Sequence, residues 1–572
     1  HEDFYKHFLE SCKDVVDVIH GRHKRYSRNS FFAQKYHLDI SPWVYGFILG
    51  IEWEGDLVAY TNGSEPQAPQ YSGEYLYTEN ARNFEIFLAS IGDRTIAYET
   101  EKYGTQRVVA FANWPTTCPL EFNENIKQAH HKYAKVDVNN ILATDAFKAG
   151  MFASYHIYPY YPEYLLYDQE TSAVENTFQE YLKLLVEHNT IPVVITEFGI
   201  PSSRGQASYE QNRALGRDQG GVSEVKQGEA LVSMYQDIRS SGCAGGVVFI
   251  WQDEWFKRTW NTIPLVDLER VIFWSDYQTN EQYFGLLSFD PGTDKSICYV
   301  DGDKSDWDDS SLVLERDSCR LSVKYDLKFM YFLVEKAGFD ISTDRLYIPI
   351  DTTPKSGAQQ AANLGIEMSN PADFVIEING ENDSRLWVQS RYNTTTALYG
   401  NQLEHHFNQH VNRPYVDDPQ FQKVFMILHE LDYYCEGDII DFWDYNYNSL
   451  DIYYSLVQTH ETGKLTYGNA NPTMDDFNSL ADFCAGEGFV EIKLPWLLLN
   501  FADPTKMCIH DDYYENYGAE YLFIDSMHVG AGDGTTTVQM VEVPLNILPK
   551  KPEYHERLKE SYYILQDYWK DK

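Results

Sequence analysis

Apolar and polar positions follow two different patterns along the chain, and the change falls near residue 296. Before it, apolar runs at Val44 to Trp53, Arg107 to Asn113, Met151 to Tyr158, Ile191 to Phe198 and Gly245 to Trp251 are separated by stretches with helical periodicity. Val174, Phe178, Tyr181, Leu182 and Leu185 share one helix face, as do Val225, Leu231, Val232, Tyr235 and Ile238, and Asp3 to Ile19 also reads as a helix. Runs that stay apolar at consecutive positions are buried on both faces, and the helices between them supply the crossovers that parallel pairing needs. Residues 1–265 therefore predict an α/β region on a parallel sheet. After residue 296, alternating segments at Leu321 to Tyr325, Met330 to Glu335, Leu346 to Ile350, Phe374 to Ile378 and Phe489 to Leu494 lie between Asp-, Gly- and Asn-rich turns. That pattern predicts an all-β region over residues 296–548, a β-sandwich. Residues 266–295 read as a connector and about 400–485 as a Tyr-, Asn- and Asp-rich insertion. Residues 549–572 read as a terminal helix docked by Leu558, Tyr562, Leu565 and Trp569.

Composition narrows the function. At 572 residues the chain is too long for a small disulfide or metal scaffold. Its 86 acidic against 46 basic residues give a net charge of −40, which repels phosphate backbones and anionic head groups, so neither a nucleic-acid partner nor membrane insertion is expected. No run reaches the roughly 20 apolar residues of a membrane-spanning helix. The eight cysteines are scattered without CxxC or Cys/His ligand spacing. Tyrosine is abundant at 44 residues; its flat face and polar edge suit sugars, and suit half-buried packing equally well.

The candidate chemistry lies at strand ends. Pro192 to Ile195 is an apolar run that ends in Thr196-Glu197-Phe198-Gly199, and a second run ends in Gly50-Ile51-Glu52-Trp53. In a β/α barrel the C-terminal ends of the strands form the active face, so both carboxylates are placed for work; pairing of Glu197 with Arg204 is the structural alternative. If Gly245 to Trp251 is strand eight, counting backwards puts Glu197 at the end of strand seven and Glu52 at the end of strand four. Two carboxyl groups facing each other across a barrel mouth, about 5 to 5.5 Å apart, are the requirement of retaining glycoside hydrolysis.

These motifs resemble the clan A glycoside hydrolases, the (β/α)8-barrel retaining enzymes that include the family two and family five glycosidases. The resemblance covers residues 1–265. It implies Glu197 as nucleophile, Glu52 as acid/base, and Trp251 in Phe249-Ile250-Trp251-Gln252 as a sugar platform. Tyr158 or His156, in Ser154-Tyr155-His156-Ile157-Tyr158-Pro159, would orient the nucleophile, and Asn113, Trp114 and Trp53 would bind substrate. Two features depart from the family pattern. Many members carry Asn before the acid/base Glu, where this chain has Ile51, leaving Asn113 as the substitute donor. Only strands four to eight are present, so an open edge is expected unless the first three β/α units come from a companion chain, separate or cleaved, or precede His1.

The second region resembles the family nine carbohydrate-binding modules in Val300-Asp301-Gly302-Asp303-Lys304-Ser305-Asp306-Trp307 and Val490-Glu491-Ile492-Lys493-Leu494-Pro495-Trp496. Some of those modules hold calcium, and Asp301, Asp303 and Asp306 are chemically suited to a hard cation; an Asp-rich turn is the alternative. The expectation is thus the C-terminal part of a TIM barrel followed by a β-sandwich. It is expected to act outside the cell or at its surface on a polysaccharide or oligosaccharide, without an organic cofactor. The rival expectation is a non-catalytic glycan-binding or assembly protein that keeps the barrel as a scaffold.

Overall fold

A computed structural model describes residues 2–25, 34–64, 67–122, 132, 134–161, 174–210, 212–316, 319–398, 413–428, 434–435, 438–439 and 459–570. The chain forms two compact units: one chiefly of His1–Phe198 with Ser233–Val248, the other chiefly of Gly199–Val232, Phe249–Tyr433 and Phe442–Lys572.

The first unit contains all five strands expected of the parallel sheet: β1 (Gly46–Leu49), β2 (Val108–Phe111), β3 (Ala153–His156), β4 (Val193–Phe198) and β5 (Gly245–Val248). β1 pairs in parallel with β2, β3 with β4 and β4 with β5. The β2–β3 junction is a parallel bridge between Val109 and Met151. Strand order therefore follows chain order. The helical stretches are α1 (Glu2–Ile19), α2 (Gly55–Asn62), α3 (Asn83–Tyr103), α4 (Thr177–His188) and α5 (Glu224–Ser240). They form the expected crossovers, α2 and α3 between β1 and β2, α4 between β3 and β4, and α5 between β4 and β5. Among the described residues β1 and β5 each pair on one side only, so the sheet is open and no closed barrel forms. Ile48 and Val247 on these two edge strands are exposed, whereas Val109, Ala110, Phe111, Tyr155 and Ile195 of the inner strands are buried.

One cluster fixes the entry to the sheet. Glu99 of α3 accepts from Arg107 Nε (2.7 Å), lies 3.0 Å from His20 Nε2, and Arg107 also donates to the Ser41 carbonyl. His20 is buried, and its ring stacks on Tyr103 with centroids 3.8 Å apart. A buried carboxylate needs donors from several directions, and His20 is one of them.

The second unit is built on two antiparallel sheets. Its strands are β6 (Leu287–Pro291), β7 (Leu312–Arg316), β8 (Cys319–Tyr325), β9 (Phe329–Lys336), β10 (Arg345–Asp351), β11 (Phe374–Asn379) and β12 (Arg385–Gln389). They continue with β13 (Phe421–Lys423), β14 (Phe483–Gly486), β15 (Phe489–Pro495), β16 (Ser526–Gly530), β17 (Met540–Pro544) and β18 (Tyr554–Leu558). The sheets run β7-β8-β9-β15-β14 and β13-β12-β11-β10-β16-β17. Alternate residues of both, among them Leu321, Phe332, Ile348, Ile376 and Ile492, enter one buried cluster. That sharing is why the period-two pattern was readable in the sequence.

Three expectations change. Residues 266–295 are not a passive connector: Val271, Trp274, Tyr277 and Tyr283 are buried, and β6 pairs with β18. The supposed insertion supplies β13 and β14 from its described flanks; residues 399–412 and most of 429–458 lie outside the described residues. In the terminal segment Leu558 belongs to β18 and Trp569 is exposed, so of the expected stripe only Leu565 is fully buried in the helix α6 (Glu560–Lys570).

Half-buried Asp351 at the end of β10 and fully buried Asp373 just before β11 make a carboxyl pair. Asp373 accepts from the amides of Thr352 and Thr353 (both 2.8 Å), and His528 lies 3.4 Å from Asp351. Burial raises Asp351 to about 7, and burial with the facing Asp351 charge raises Asp373 further. A carboxyl whose folded-state pKa is raised stabilises fully below its unfolded value, near 4, and that contribution is lost as pH rises through about 7. Asp351→Asn is therefore expected to match the parent near pH 4 and to exceed its stability at pH 8, by on the order of 1–3 kcal/mol. Thermal unfolding of both proteins across that range checks it; a gap that does not widen with pH contradicts it.

Candidate active site

The C-terminal ends of the inner strands bring three sequence-predicted residues together. Glu197 is the fifth residue of β4, His156 ends β3, and Tyr158 lies two residues beyond on the same face. The β3–β4 register pairs His156 with Glu197, and the Ile157 amide donates to the Glu197 carbonyl at 3.0 Å. Below them Ser154 and Thr196 join their hydroxyls at 2.8 Å in the buried interior, fixing the two strand ends against each other.

Glu197 Oε2 accepts from the Tyr158 hydroxyl at 2.9 Å and lies 3.4 Å from His156 Nδ1. The same Nδ1 is 3.1 Å from Glu52 Oε1. One ligand atom from each of Glu52, His156 and Glu197 lies within 4.8 Å of the others, so the two carboxylates face each other across an imidazole. Nδ1 thus lies within reach of one oxygen of each acid. His156 is buried, while the side chains of Glu52 and Glu197 remain 36% and 28% exposed, so solvent and a ligand can reach both acids.

The way Glu52 gets there was not read from the sequence. β1 ends at Leu49, and Gly50 turns the chain with φ of +98°, a left-handed conformation that favours glycine. The turn folds Trp53 underneath: its ring is buried, edge-on to Phe8 and Phe84, and its Nε1 donates to the Ala112 carbonyl at 3.1 Å. Trp114 Nε1 in turn donates to the Trp53 carbonyl at 2.9 Å. Together they hold the segment that presents Glu52.

Two substrate-binding expectations, Trp53 and Asn113, are thereby corrected. Trp53 is a core anchor, because a large ring beside a tight turn fills the space under it. Asn113 is buried, with Nδ2 on the Val136 carbonyl and Oδ1 accepting from the Trp114 amide and Thr117 Oγ1, so it is engaged in holding its own turn and does not replace the donor missing at Ile51. Trp114 is partly exposed and stacks on Tyr161 at 6.1 Å. In the second unit, Trp251 is 54% exposed and meets Tyr562 edge-on, leaving much of its surface open. Arg204, the structural alternative as partner for Glu197, pairs with Asp482 and donates to the Thr462 carbonyl.

The aspartates considered for calcium form turns instead. Asp301 Oδ1 accepts from the Asp303 amide and Oδ2 from Asn471; Asp303 accepts from the Ser305 amide and Asp306 from the Tyr299 amide. Side chains that cap amides two residues on give the same Asp-rich spacing as a cation loop. Among the described residues the one acid and histidine group whose ligand atoms converge as at a metal site is Glu52, His156 and Glu197.

Tyr158→Phe removes one hydrogen bond to Glu197, so a turnover that depends on this carboxyl is expected to fall about 10- to 100-fold in kcat with little change in stability. Steady-state kinetics beside a thermal melt checks this; unchanged kcat contradicts a role for Tyr158 in orienting Glu197.

No known family matches the chain, and no curated protein matches it. Three solved structures to which it is similar are glycoside hydrolases. The endo-beta-1,4-mannanase from Thermotoga petrophila shows 12% identity and a TM-score of 0.25, over 62% of this chain and 63% of that one. The GH53 catalytic domain of Ignisphaera aggregans shows 12% and 0.21, over 44% and 55%. A beta-porphyranase of glycoside hydrolase family 86 from Bacteroides plebeius shows 10% and 0.18, over 47% and 45%. The chain spans less than two thirds of the length of each.

Proposed function

We propose that the protein is a retaining glycoside hydrolase that cleaves a neutral polysaccharide outside the cell or at its surface. The observation that supports this reading is the convergence of Glu52 and Glu197, one carboxylate oxygen of each lying within 4.8 Å of the other, the facing two-carboxylate arrangement that retaining hydrolysis uses. In this reading the first unit is an open portion of a (β/α)8 barrel and the second is a β-sandwich. The edges β1 and β5, one-sided among the described residues, are where further β/α units would pair.

The chemistry follows from the residue types. Glu197, ionised and oriented by Tyr158 and His156, attacks the anomeric carbon and forms a carboxylic ester. The bond to the leaving oxygen breaks as the protonated Glu52 gives its hydrogen to that oxygen. Glu52, now ionised, takes a proton from water. The water oxygen bonds to the anomeric carbon, and Glu197 is released. His156 Nδ1 lies beside both acids and can donate to whichever carries the charge. No organic cofactor takes part. A net charge of −40 favours neutral or basic glycans over anionic ones.

A glycan-binding protein without turnover is the second reading, favoured by Ile51 and by an Asn113 side chain that is already engaged. A panel of neutral polysaccharides decides between them. Release of reducing ends is expected from at least one member, and binding without release across the panel supports the second reading.

A further inference from the structure

A cavity of about 60 Å³ lies in the second unit, lined in part by β6, β9, β15 and β18. One water needs about 10–15 Å³ of such a volume, so the cavity holds about four to six atoms of that size. Four cationic side chains line it, Lys328, Lys493, Arg557 and Lys559, against two carboxylates, Glu224 and Asp290.

The pairing of these charges is incomplete. Arg557 donates to both oxygens of Glu224 (2.7 and 2.9 Å) and to Asp290 (2.6 Å). Lys559 uses its three hydrogens on Asp253 (2.7 Å), Ser202 Oγ (3.1 Å) and the Tyr283 carbonyl (3.1 Å). Lys328 comes no nearer than 4.0 Å to Asp290 and lies over the Tyr277 ring at 4.6 Å. Lys493 lies over Phe329 at 4.7 Å. Neither ammonium donates a hydrogen bond to a described residue, although Lys328 is 8% and Lys493 7% exposed. The neighbouring hydroxyls are occupied, Tyr277 on the Ser479 carbonyl and Tyr331 on Asp326. The cavity thus offers ring faces as walls and, as donors, two lysine amino groups that hydrogen-bond to no described residue; burial lowers the pKa of both, Lys493 to about 8, against the opposing charges of Asp482 and Asp290. A small ligand that only accepts hydrogen bonds and carries negative charge meets both requirements.

We propose that this cavity binds a small tetrahedral oxyanion, of sulfate or phosphate size, between Lys328 and Lys493. The proposal is independent of the hydrolase reading. Sodium sulfate and sodium phosphate, each titrated into the full chain against sodium chloride at matched ionic strength, are expected to give saturable binding heat and a rise in Tm that chloride does not give. Lys493→Met and Lys328→Met each keep an apolar stem of similar length and are expected to weaken oxyanion binding by at least about tenfold. Sulfate also stabilises proteins by exclusion from their surface, so a sulfate-dependent rise in Tm that is the same in parent and variants overturns the proposal. Should either variant fail to fold, the parent titration still decides: no saturable heat with sulfate or phosphate contradicts an oxyanion site.

Discussion

Glu197→Gln is expected to abolish glycosidic cleavage, with kcat falling by roughly 10⁴-fold or more, as happens when a covalent nucleophile is removed. The side chains are nearly isosteric, and an amide oxygen can still accept from the Tyr158 hydroxyl that now reaches Glu197 Oε2 at 2.9 Å. Folding and substrate binding should therefore survive, and the loss should fall on kcat. Glu52→Gln separates the roles. With a leaving group that departs without protonation, such as a nitrophenolate, the first step should stay fast and the second become slow, because Glu52 also activates water. With a sugar leaving group both steps should fail. Retention of most activity by Glu197→Gln, on any substrate the parent cleaves, removes Glu197 from the chemistry.

The second large effect belongs to a residue that touches no substrate. At Gly50, φ is +98° and an added Cβ would collide with the ring of Trp53. Gly50→Ala must therefore adopt a strained backbone or displace a buried tryptophan whose Nε1 is held by Ala112. Strain of about 1–2 kcal/mol and overpacking of about 1–3 kcal/mol give an expected destabilisation of roughly 2–5 kcal/mol. Because Trp53 is adjacent to Glu52, the same shift should move the acid/base, so kcat is expected to drop even at temperatures where the variant is fully folded. A melt and a rate measured well below the transition separate these effects. A variant with parental stability and rate would show that the turn does not set the position of Glu52.

What the sequence made legible followed from periodicity. The five parallel strands stood out because inner strands are apolar at consecutive positions, as in Val193 to Ile195, and the antiparallel sheets because half of each strand enters one core, as in β9 and β15. That Tyr158 or His156 would stand beside Glu197 came from the family resemblance and not from the spacing; the structure places both within reach of it. Trp53 and Asn113 were misread because an aromatic or amide at a strand end has the same signature whether it packs beneath a turn or faces a ligand; only the hydrogen bonds to Ala112 and Val136 distinguish the two. The aspartates at 301, 303 and 306 were ambiguous for a related reason, since turn caps and cation ligands use the same residue at the same spacing. The glycine directly after an apolar run was the one available signal for the Gly50 turn. Lys328 and Lys493 gave none, because their convergence depends on strands far apart in the chain.

The most direct test of the central claim is the anomeric configuration of the first product, followed by proton NMR from the start of hydrolysis of a cleaved polysaccharide. Two carboxylates this close leave no room for a water between Glu197 and the anomeric carbon, so the double displacement predicts that the newly formed reducing end first appears with the configuration of the bond that was broken. First appearance of the opposite anomer, before mutarotation, would contradict the nucleophilic role of Glu197.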